Sequence, residues 1–185
     1  MITSIKITIT ILKSGVMLFL IQILLSCDRK MDVIKNSDIL LLPTQTAKKF
    51  ESVYDNLEGL QVIFSGPLLE RYTNSKPPYS EYRNGIKALF YDGHKDPIAL
   101  ISSKYAKFLE DKRLWELKDS VVALNEKNER LETELLYCDQ EKDLVYTDRA
   151  VKITSEDEII IGIGLESNSR FSKWLIKNVS ATILI

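Results

Sequence analysis

The sequence is poor in the residues on which most enzymatic centres depend. It contains one histidine, His94, and two cysteines among 185 residues. A structural zinc site or a histidine-based catalytic centre is therefore hard to assemble. We expect no metal, no cofactor and no enzymatic activity.

An excess of charge of one sign is also missing. The 25 Lys and Arg residues are dispersed among 26 Asp and Glu residues, so the formal net charge is −1 and there is no basic stripe. Proteins that bind nucleic acid need such a stripe to neutralise phosphates, so we expect no nucleic acid partner. The composition, with 45% hydrophobic and 28% charged residues, is that of an ordinary globular domain with an appendage.

Apolar runs are short, and one of them indicates export. Residues 1–26 contain no acid, carry Lys6 and Lys13, and become almost entirely apolar over residues 16–25. This run is too short to span roughly 30 Å of hydrocarbon comfortably as a helix. We predict a lipoprotein signal peptide over residues 1–26, because Leu24-Leu25-Ser26-Cys27 looks like a bacterial lipobox. A plain signal peptide and an uncleaved anchor are the alternatives.

Lipid attachment at Cys27 has consequences for the rest of the chain. It leaves Cys138 without a disulfide partner, so we interpret Cys138 as a half-buried apolar residue. Removal of residues 1–26 makes the chain more acidic, so membrane attachment has to come from acyl chains. In similar lipoproteins an aspartate such as Asp28 directly after the cysteine is one signal for staying in the inner membrane.

Alternation of apolar and polar residues is the dominant pattern of the mature chain. It predicts an all-β fold, because alternate side chains of a strand lie on the same face of a sheet. Residues 59–185 are expected to form this β domain, and residues 27–58 a lipidated tether. In residues 114–165 apolar positions recur at an interval of about 30, which predicts a repeated β unit. The recurring positions are Leu114 with Leu144, Val121 with Val151, and Leu135 with Leu165.

Local signals predict the connections between strands. The spacing of Ala47, Phe50 and Val53 predicts a short helix that begins near Thr44 and ends near Gly59. Asp92-Gly93 predicts a tight hairpin with His94 in its turn. Residues 118–120 are predicted to form a turn, and Gly162 and Gly164 a bulge or bend in a strand.

Continuing the alternation through each strand assigns one set of side chains to an apolar interior. The last strand is expected to be an edge strand that pairs with a partner through Val179, Ala181 and Ile183. The predicted interior consists of Phe64, Ile86, Ala88, Phe90, Ile101, Tyr105, Trp115, Val121, Leu131, Leu135, Val145, Val151, Ile153, Ile161, Ile163, Leu165 and Trp174.

Several short segments together resemble the LptC family of lipopolysaccharide export proteins, in its lipoprotein form. The resemblance covers residues 43–185, and no single segment would carry it. One departure is Asp119, which stands where the family usually has a glycine; aspartate tolerates the left-handed backbone of such a turn. The segments are Pro43-Thr-Gln-Thr, Gly66-Pro-Leu-Leu-Glu-Arg-Tyr72, Gly85-Ile-Lys-Ala-Leu-Phe-Tyr91, Ser103-Lys-Tyr-Ala106, Leu131-Glu-Thr-Glu-Leu-Leu-Tyr137, Tyr146-Thr-Asp148, Val151-Lys-Ile-Thr154, Gly164-Leu165 and Phe171-Ser-Lys-Trp174.

The resemblance implies a twisted, V-shaped antiparallel β jelly roll of the LptA/LptC/OstA type. It implies a non-enzymatic protein, lipid-anchored on the periplasmic face of the inner membrane. This protein would take lipopolysaccharide from the LptB/LptF/LptG transporter and pass it along its interior to an LptA-like bridge protein. The sequence has no nucleotide-binding loop, so the transporter would supply the work of extraction.

Two alternatives remain beside this interpretation. The first is a membrane-anchored structural adaptor that joins β domains and fills its interior with its own side chains. The second is an enzyme acting on envelope polymers through Asp139, Glu141 and Asp143. Glycoside chemistry needs two carboxylates held across a cleft, whereas a run of acids in a turn is usually solvated surface.

Overall fold

Alternating side chains build eleven β-strands in the computed structural model, which describes residues 42–55, 61–93 and 96–185. Within these ranges the strands are joined by turns and one 3-10 segment, Glu110–Lys112, and there is no α-helix. The predicted all-β fold is confirmed. The strands are β1 Gln45–Asp55, β2 Gln61–Tyr72, β3 Tyr79–Tyr82, β4 Ile86–Tyr91, β5 Ala99–Ser103, β6 Tyr105–Leu109, β7 Leu114–Leu124, β8 Arg130–Asp139, β9 Leu144–Thr154, β10 Glu158–Ser167 and β11 Trp174–Leu184.

All strands belong to one antiparallel sheet in which neighbours in sequence are neighbours in space. The apparent exceptions are two pairs of short strands that lie in line. β4 and β3 pair with the first and second halves of β2, and β5 and β6 pair with the last and first halves of β7. β3 with β4, and β5 with β6, therefore each act as one long interrupted strand, and the sheet is a simple meander.

A row of irregular residues crosses this sheet near the middle of every long strand up to β10, and we call this row the crease. Several of its members have left-handed backbone, with φ of +50° at Lys49, +93° at Gly85, +62° at Asp119 and +78° at Gly164. Register shifts interrupt the pairing of β7 with β8, β8 with β9 and β9 with β10 at the same level. Such bulges bend a strand. The crease consists of Lys49, Gly66, Gly85, Lys104, Asp119, Ser120, Glu134, Arg149 and Gly164.

The crease divides the sheet into two layers whose inner faces pack on each other. The first layer contains β4 and β5 with the adjoining halves of the long strands, and the second contains β3 and β6 with the other halves. Phe64 of the first layer stacks on Trp115 of the second, with ring centroids 5.2 Å apart. The apolar core therefore lies between the layers.

Close backbone approach explains the glycines of the crease. A Cβ atom on Gly66 would lie 2.7 Å from the carbonyl oxygen of Gly85, and one on Gly85 would lie 2.8 Å from that of Ser103. Cβ atoms do not approach backbone this closely, so both positions require glycine. The left-handed backbone predicted at Asp119 is confirmed, but residues 118–120 form a bend inside β7 and not a turn between strands.

The short helix predicted from Thr44 to near Gly59 is wrong, because residues 45–55 form β1, which pairs with β2. Lys49 explains the error. Its backbone is left-handed, with φ of +50°, although the register with β2 continues without a shift from Lys48 opposite Leu68 to Phe50 opposite Gly66. The left-handed residue interrupts the alternation of the strand, so the half-buried residues Ala47 and Phe50 are three positions apart, which is also the spacing of a helix. Residues 56–60 lie outside the described ranges.

Two pairs of the predicted repeat are confirmed. Leu114 and Leu144 begin β7 and β9, and Val121 and Val151 are buried at matching positions after the crease. The third pair is wrong, because Leu135 lies on the outer face of β8 whereas Leu165 lies on the inner face of β10. The hairpin between β4 and β5 forms, although it spans residues 92–98 and is not a two-residue turn; His94 lies outside the described residues.

The crease makes a testable distinction between two adjacent leucines of β8. Leu136 pairs with Leu117 on the inner face and is 0% exposed, whereas Leu135 pairs with Lys118 on the outer face and is half-buried. We expect Leu136→Ala to lower the free energy of unfolding by about 2–5 kcal/mol because it leaves a cavity in the core. Leu135→Ala should cost about 1 kcal/mol or less.

Urea unfolding of both variants measures this difference. A larger loss for Leu135→Ala than for Leu136→Ala would mean that alternation runs through β8 without interruption.

Candidate functional site

The inner faces of the two layers hold most of the residues that the sequence assigned to the interior. All of them belong to one apolar cluster, in which Phe64, Phe90 and Trp174 are partly buried and the others are buried. The inner residues of the predicted set are Phe64, Ile86, Ala88, Phe90, Ile101, Trp115, Val121, Leu131, Val145, Val151, Ile153, Leu165 and Trp174.

Four predicted interior residues instead lie on the outer face: Tyr105, Leu135, Ile161 and Ile163. Each was assigned by counting alternate residues from inner residues that lie on the other side of the crease. Ile161 and Ile163 are 36% and 51% exposed, and their partners on β9 are Lys152 and Ala150. The left-handed backbone of Gly164, at a bulge whose extra residue lies on β9, inverts the alternation between Ile163 and Leu165, so these assignments are wrong.

The same inversion hides inner residues that the sequence did not assign. Continuous alternation across the crease assigns the residue next to the true inner one, and the inner residues missed in this way are Ala106, Leu136 and Ile160. Phe171 was missed because it lies in a connection outside any strand. The glycine pair of β10 was the available signal. It indicated the bulge, but not which flank of the bulge faced inward.

An aromatic cluster fills the interior between β1 and β7. Trp115 is its centre, with ring centroids 5.2 Å from Phe64, 5.4 Å from Tyr82 and 4.7 Å from Phe108. Phe50 of β1 completes the cluster at 5.5 Å from Tyr82. Burial raises the pKa of Tyr82 to about 12, so the phenol is neutral at physiological pH. In this half the protein packs its own interior.

A groove of about 300 Å³ opens in the other half, where β9, β10 and β11 pass the end of β8. Its volume lies at the small end of the range for ligand pockets, roughly 300–1,000 Å³. Six of its nine lining residues are apolar, and Glu129, Ser155 and Glu158 are polar. It is lined by Glu129, Ile153, Ser155, Glu158, Ile160, Trp174, Leu175, Ile176 and Val179.

Edge strands border both halves. β11 is the terminal strand of the sheet beside the groove, as predicted, and β1 pairs only with β2. Val179, Ile183 and Leu184 of β11 are 58%, 51% and 80% exposed. A register shift between Ile161 and Gly162 places Val179 on the inner face, opposite Gly162, whereas Ala181 and Ile183 lie on the outer face. Backbone groups and apolar side chains are thus both available along β11.

The sequence of residues 11–183 matches the family described as lipopolysaccharide-assembly, LptC-related. The chain belongs to this family. LptC-related proteins are non-enzymatic components of lipopolysaccharide transport in the cell envelope, and their β jelly roll is consistent with the creased sheet described above. No curated protein matches the chain.

The acidic segment proposed above as an alternative enzymatic site stabilises turns in this LptC-related domain. The carboxylate of Asp139 accepts a hydrogen bond from Lys142 Nζ at 2.7 Å and others from the backbone N–H groups of Glu141 and Lys142. The Lys142 ammonium holds the pKa of Asp139 below its usual value. Asp143 accepts from the backbone N–H of Ser169. These contacts are those of a structural turn.

Cys138 also has a structural role in the LptC-related domain. It lies on the inner face between Trp115 and Val145 and packs against the core. Burial raises the pKa of its thiol to about 12, so it is uncharged and unreactive at physiological pH. Cys27 lies outside the described residues. In the described ranges no helix is long and apolar enough to cross a membrane, and no cluster of side chains is suited to a metal ion.

Proposed function

We propose that this LptC-related chain receives lipopolysaccharide from the inner-membrane LptB/LptF/LptG transporter and passes it to an LptA-like bridge protein. The acyl chains would lie between the two layers, on the inner residues that include Leu131, Ile153 and Leu165. The observation that carries the proposal is the groove whose apolar lining includes Ile153, Ile160 and Ile176, because it is a mainly apolar opening beside an edge strand.

The energetics of burial suit transfer from one carrier to the next. Each buried methylene contributes roughly 0.8 kcal/mol, so about ten methylenes stabilise a complex by roughly 8 kcal/mol. Movement between two similar grooves nearly cancels this term. Extraction from the bilayer is the costly step, and it is assigned to the transporter, since this chain has no nucleotide-binding loop.

Adjacent residues of β10 provide a matched test of lipid contact. Ile160 lines the groove, whereas Ile161 lies on the outer face and is 36% exposed. With a photo-crosslinking amino acid at either position, we expect adducts with lipopolysaccharide from position 160 and few or none from position 161. Immunoblotting of cells that carry an active transport complex measures both.

Adducts at neither position, with transport intact, would favour the structural adaptor. The aromatic cluster around Trp115 is the observation that supports this second function, because it shows that half of the interior is already filled.

Partner proteins would extend the sheet at its two edges. We assign β1 to the transporter side and β11, with Val179, Ala181 and Ile183, to the LptA-like protein, because edge strands form main-chain hydrogen bonds with an added strand.

A charge on β11 tests this assignment. Ala181→Lys places an ammonium group on the edge strand, and charged edge residues oppose strand addition. We expect the dissociation constant for a purified LptA-like protein to rise by about tenfold or more, equivalent to about 1.4 kcal/mol. Ala150→Lys, on the outer face of the internal strand β9, is the matched control and should bind normally. Equal affinity of both variants would contradict the assignment.

Attachment to the membrane would come from lipid on Cys27, after removal of residues 1–26. The segment between Cys27 and β1 would be the tether, because residues 45–55 of the predicted tether 27–58 belong to the sheet. This places the protein on the periplasmic face of the inner membrane. Acyl groups supply the affinity, because the domain has no positive charge excess.

Metabolic labelling with a radioactive fatty acid tests this attachment. The full chain and its Cys138→Ala variant should both incorporate label, whereas Cys27→Ala should incorporate none. Label that persists in Cys27→Ala would contradict lipid attachment at this residue.

A further inference from the structure

The connection between β10 and β11, residues 168–173, closes the opening between the two layers, and we call it the strap. Phe171 at its centre is 0% exposed, although it belongs to no strand. Its carbonyl oxygen accepts a hydrogen bond from Asn125 Nδ2 at 3.1 Å. Asn125 lies where β7 ends, in the first layer, whereas the strap continues strands of the second layer. The strap therefore crosses from one layer to the other.

A second contact across the opening joins two residues that line the groove. Trp174 Nε1 donates to Glu129 Oε2 at 2.9 Å, and the same oxygen accepts from Asn125 Nδ2 at 2.6 Å. Phe171 packs behind this contact, with its ring centroid 5.3 Å from that of Trp174. One carboxylate thus ties the beginning of β11 to the turn between β7 and β8. Any widening of the groove at this end separates Trp174 from Glu129.

The backbone conformation of the strap is stabilised by packing and hydrogen bonds and not by the intrinsic backbone preference of its residues. Phe171 has φ of +53°, in the left-handed region that a bulky side chain rarely adopts. Inside the strap, Asn168 accepts hydrogen bonds from the backbone N–H groups of Phe171 and Ser172. Backbone of this kind costs free energy, persists only where packing enforces it, and is concentrated at ligand clamps and switch regions.

We propose that the strap is a displaceable closure of the interior, in which Phe171 occupies the place that an entering acyl chain takes. This rests on the proposed function, since it assumes that the groove binds acyl chains. Displacement exchanges one buried apolar group for another, so the burial free energy is largely retained. Glu129 and Trp174 are half-buried at the rim, where water replaces the hydrogen bond that they lose.

The closed strap sets the rate at which the interior accepts lipid. If only the open form binds, the apparent affinity is reduced by the fraction of molecules that are open. Weakening the contacts of Glu129 raises this fraction without changing the apolar wall. Faster uptake is therefore the signature of a closure, whereas loss of a wall residue would slow it.

Two glutamates of the turn between β7 and β8 provide the deciding variants. Glu129→Ala removes the carboxylate that accepts from Trp174, and Glu126→Ala removes an exposed carboxylate from the same turn. With the full chain in nanodiscs and lipopolysaccharide that carries a fluorophore on its sugar portion, we expect the association rate to rise about tenfold for Glu129→Ala. Glu126→Ala should match the unsubstituted chain. Phe171→Ala is a weaker test, because the cavity that it leaves can unfold the sheet.

Hydrogen exchange of the unsubstituted full chain gives an independent readout. On addition of lipopolysaccharide, peptides that cover residues 168–174 should exchange faster, while peptides from β9 should not. Binding with equal rates for both glutamate variants, or with unchanged or slower exchange of the strap, would overturn the closure alone. Absence of lipopolysaccharide binding by the unsubstituted chain would overturn the proposed function and the closure together.

Discussion

The structure depends on one constraint, that the long strands from β1 to β10 are interrupted at the same level by left-handed residues or by extra residues in a neighbouring strand. A sheet of this length without the crease would expose one complete apolar face. Bending at the crease folds that face onto itself, so that residues such as Phe64 and Trp115, far apart along the sheet surface, become stacked. The core is therefore a consequence of the bulges, and glycines at positions 66 and 85 are required because backbones meet there.

Folding a sheet onto itself leaves an opening opposite the crease, and the packing of side chains at this opening differs between the two halves of the molecule. Between β1 and β7 the aromatic cluster packs the layers together. Between β8 and β11 Phe171 is buried, but a groove of about 300 Å³ remains beneath the edge strand. The groove and the exposed edge of β11 adjoin each other, so one end of the domain combines an apolar opening with free backbone groups. This combination suits a protein that passes an apolar ligand to a partner with a similar sheet.

The polar groups of this domain support its turns and closures. Asp139 and Asp143 fix the connection between β8 and β9 and its contact with the strap, and Glu129 joins the turn between β7 and β8 to β11 across the groove. The raised pKa values of Cys138 and Tyr82 share one main cause, burial in the apolar core. These groups serve the geometry of the sheet, in agreement with a family of non-enzymatic transport components.

The sequence by itself determined the all-β class, the antiparallel edge strand at the end of the chain and the identity of most inner residues, because alternation is a local property of each strand. It also indicated the left-handed backbone at Asp119 and the bulge near Gly162 and Gly164. Only the tertiary structure decided which face Tyr105, Leu135, Ile161 and Ile163 occupy. Each bulge shifts the alternation by one residue, and its position is fixed by pairing with the neighbouring strand, which no single strand encodes. The same holds for the contact of Trp174 with Glu129, since the folding of one layer over the other brings these residues together.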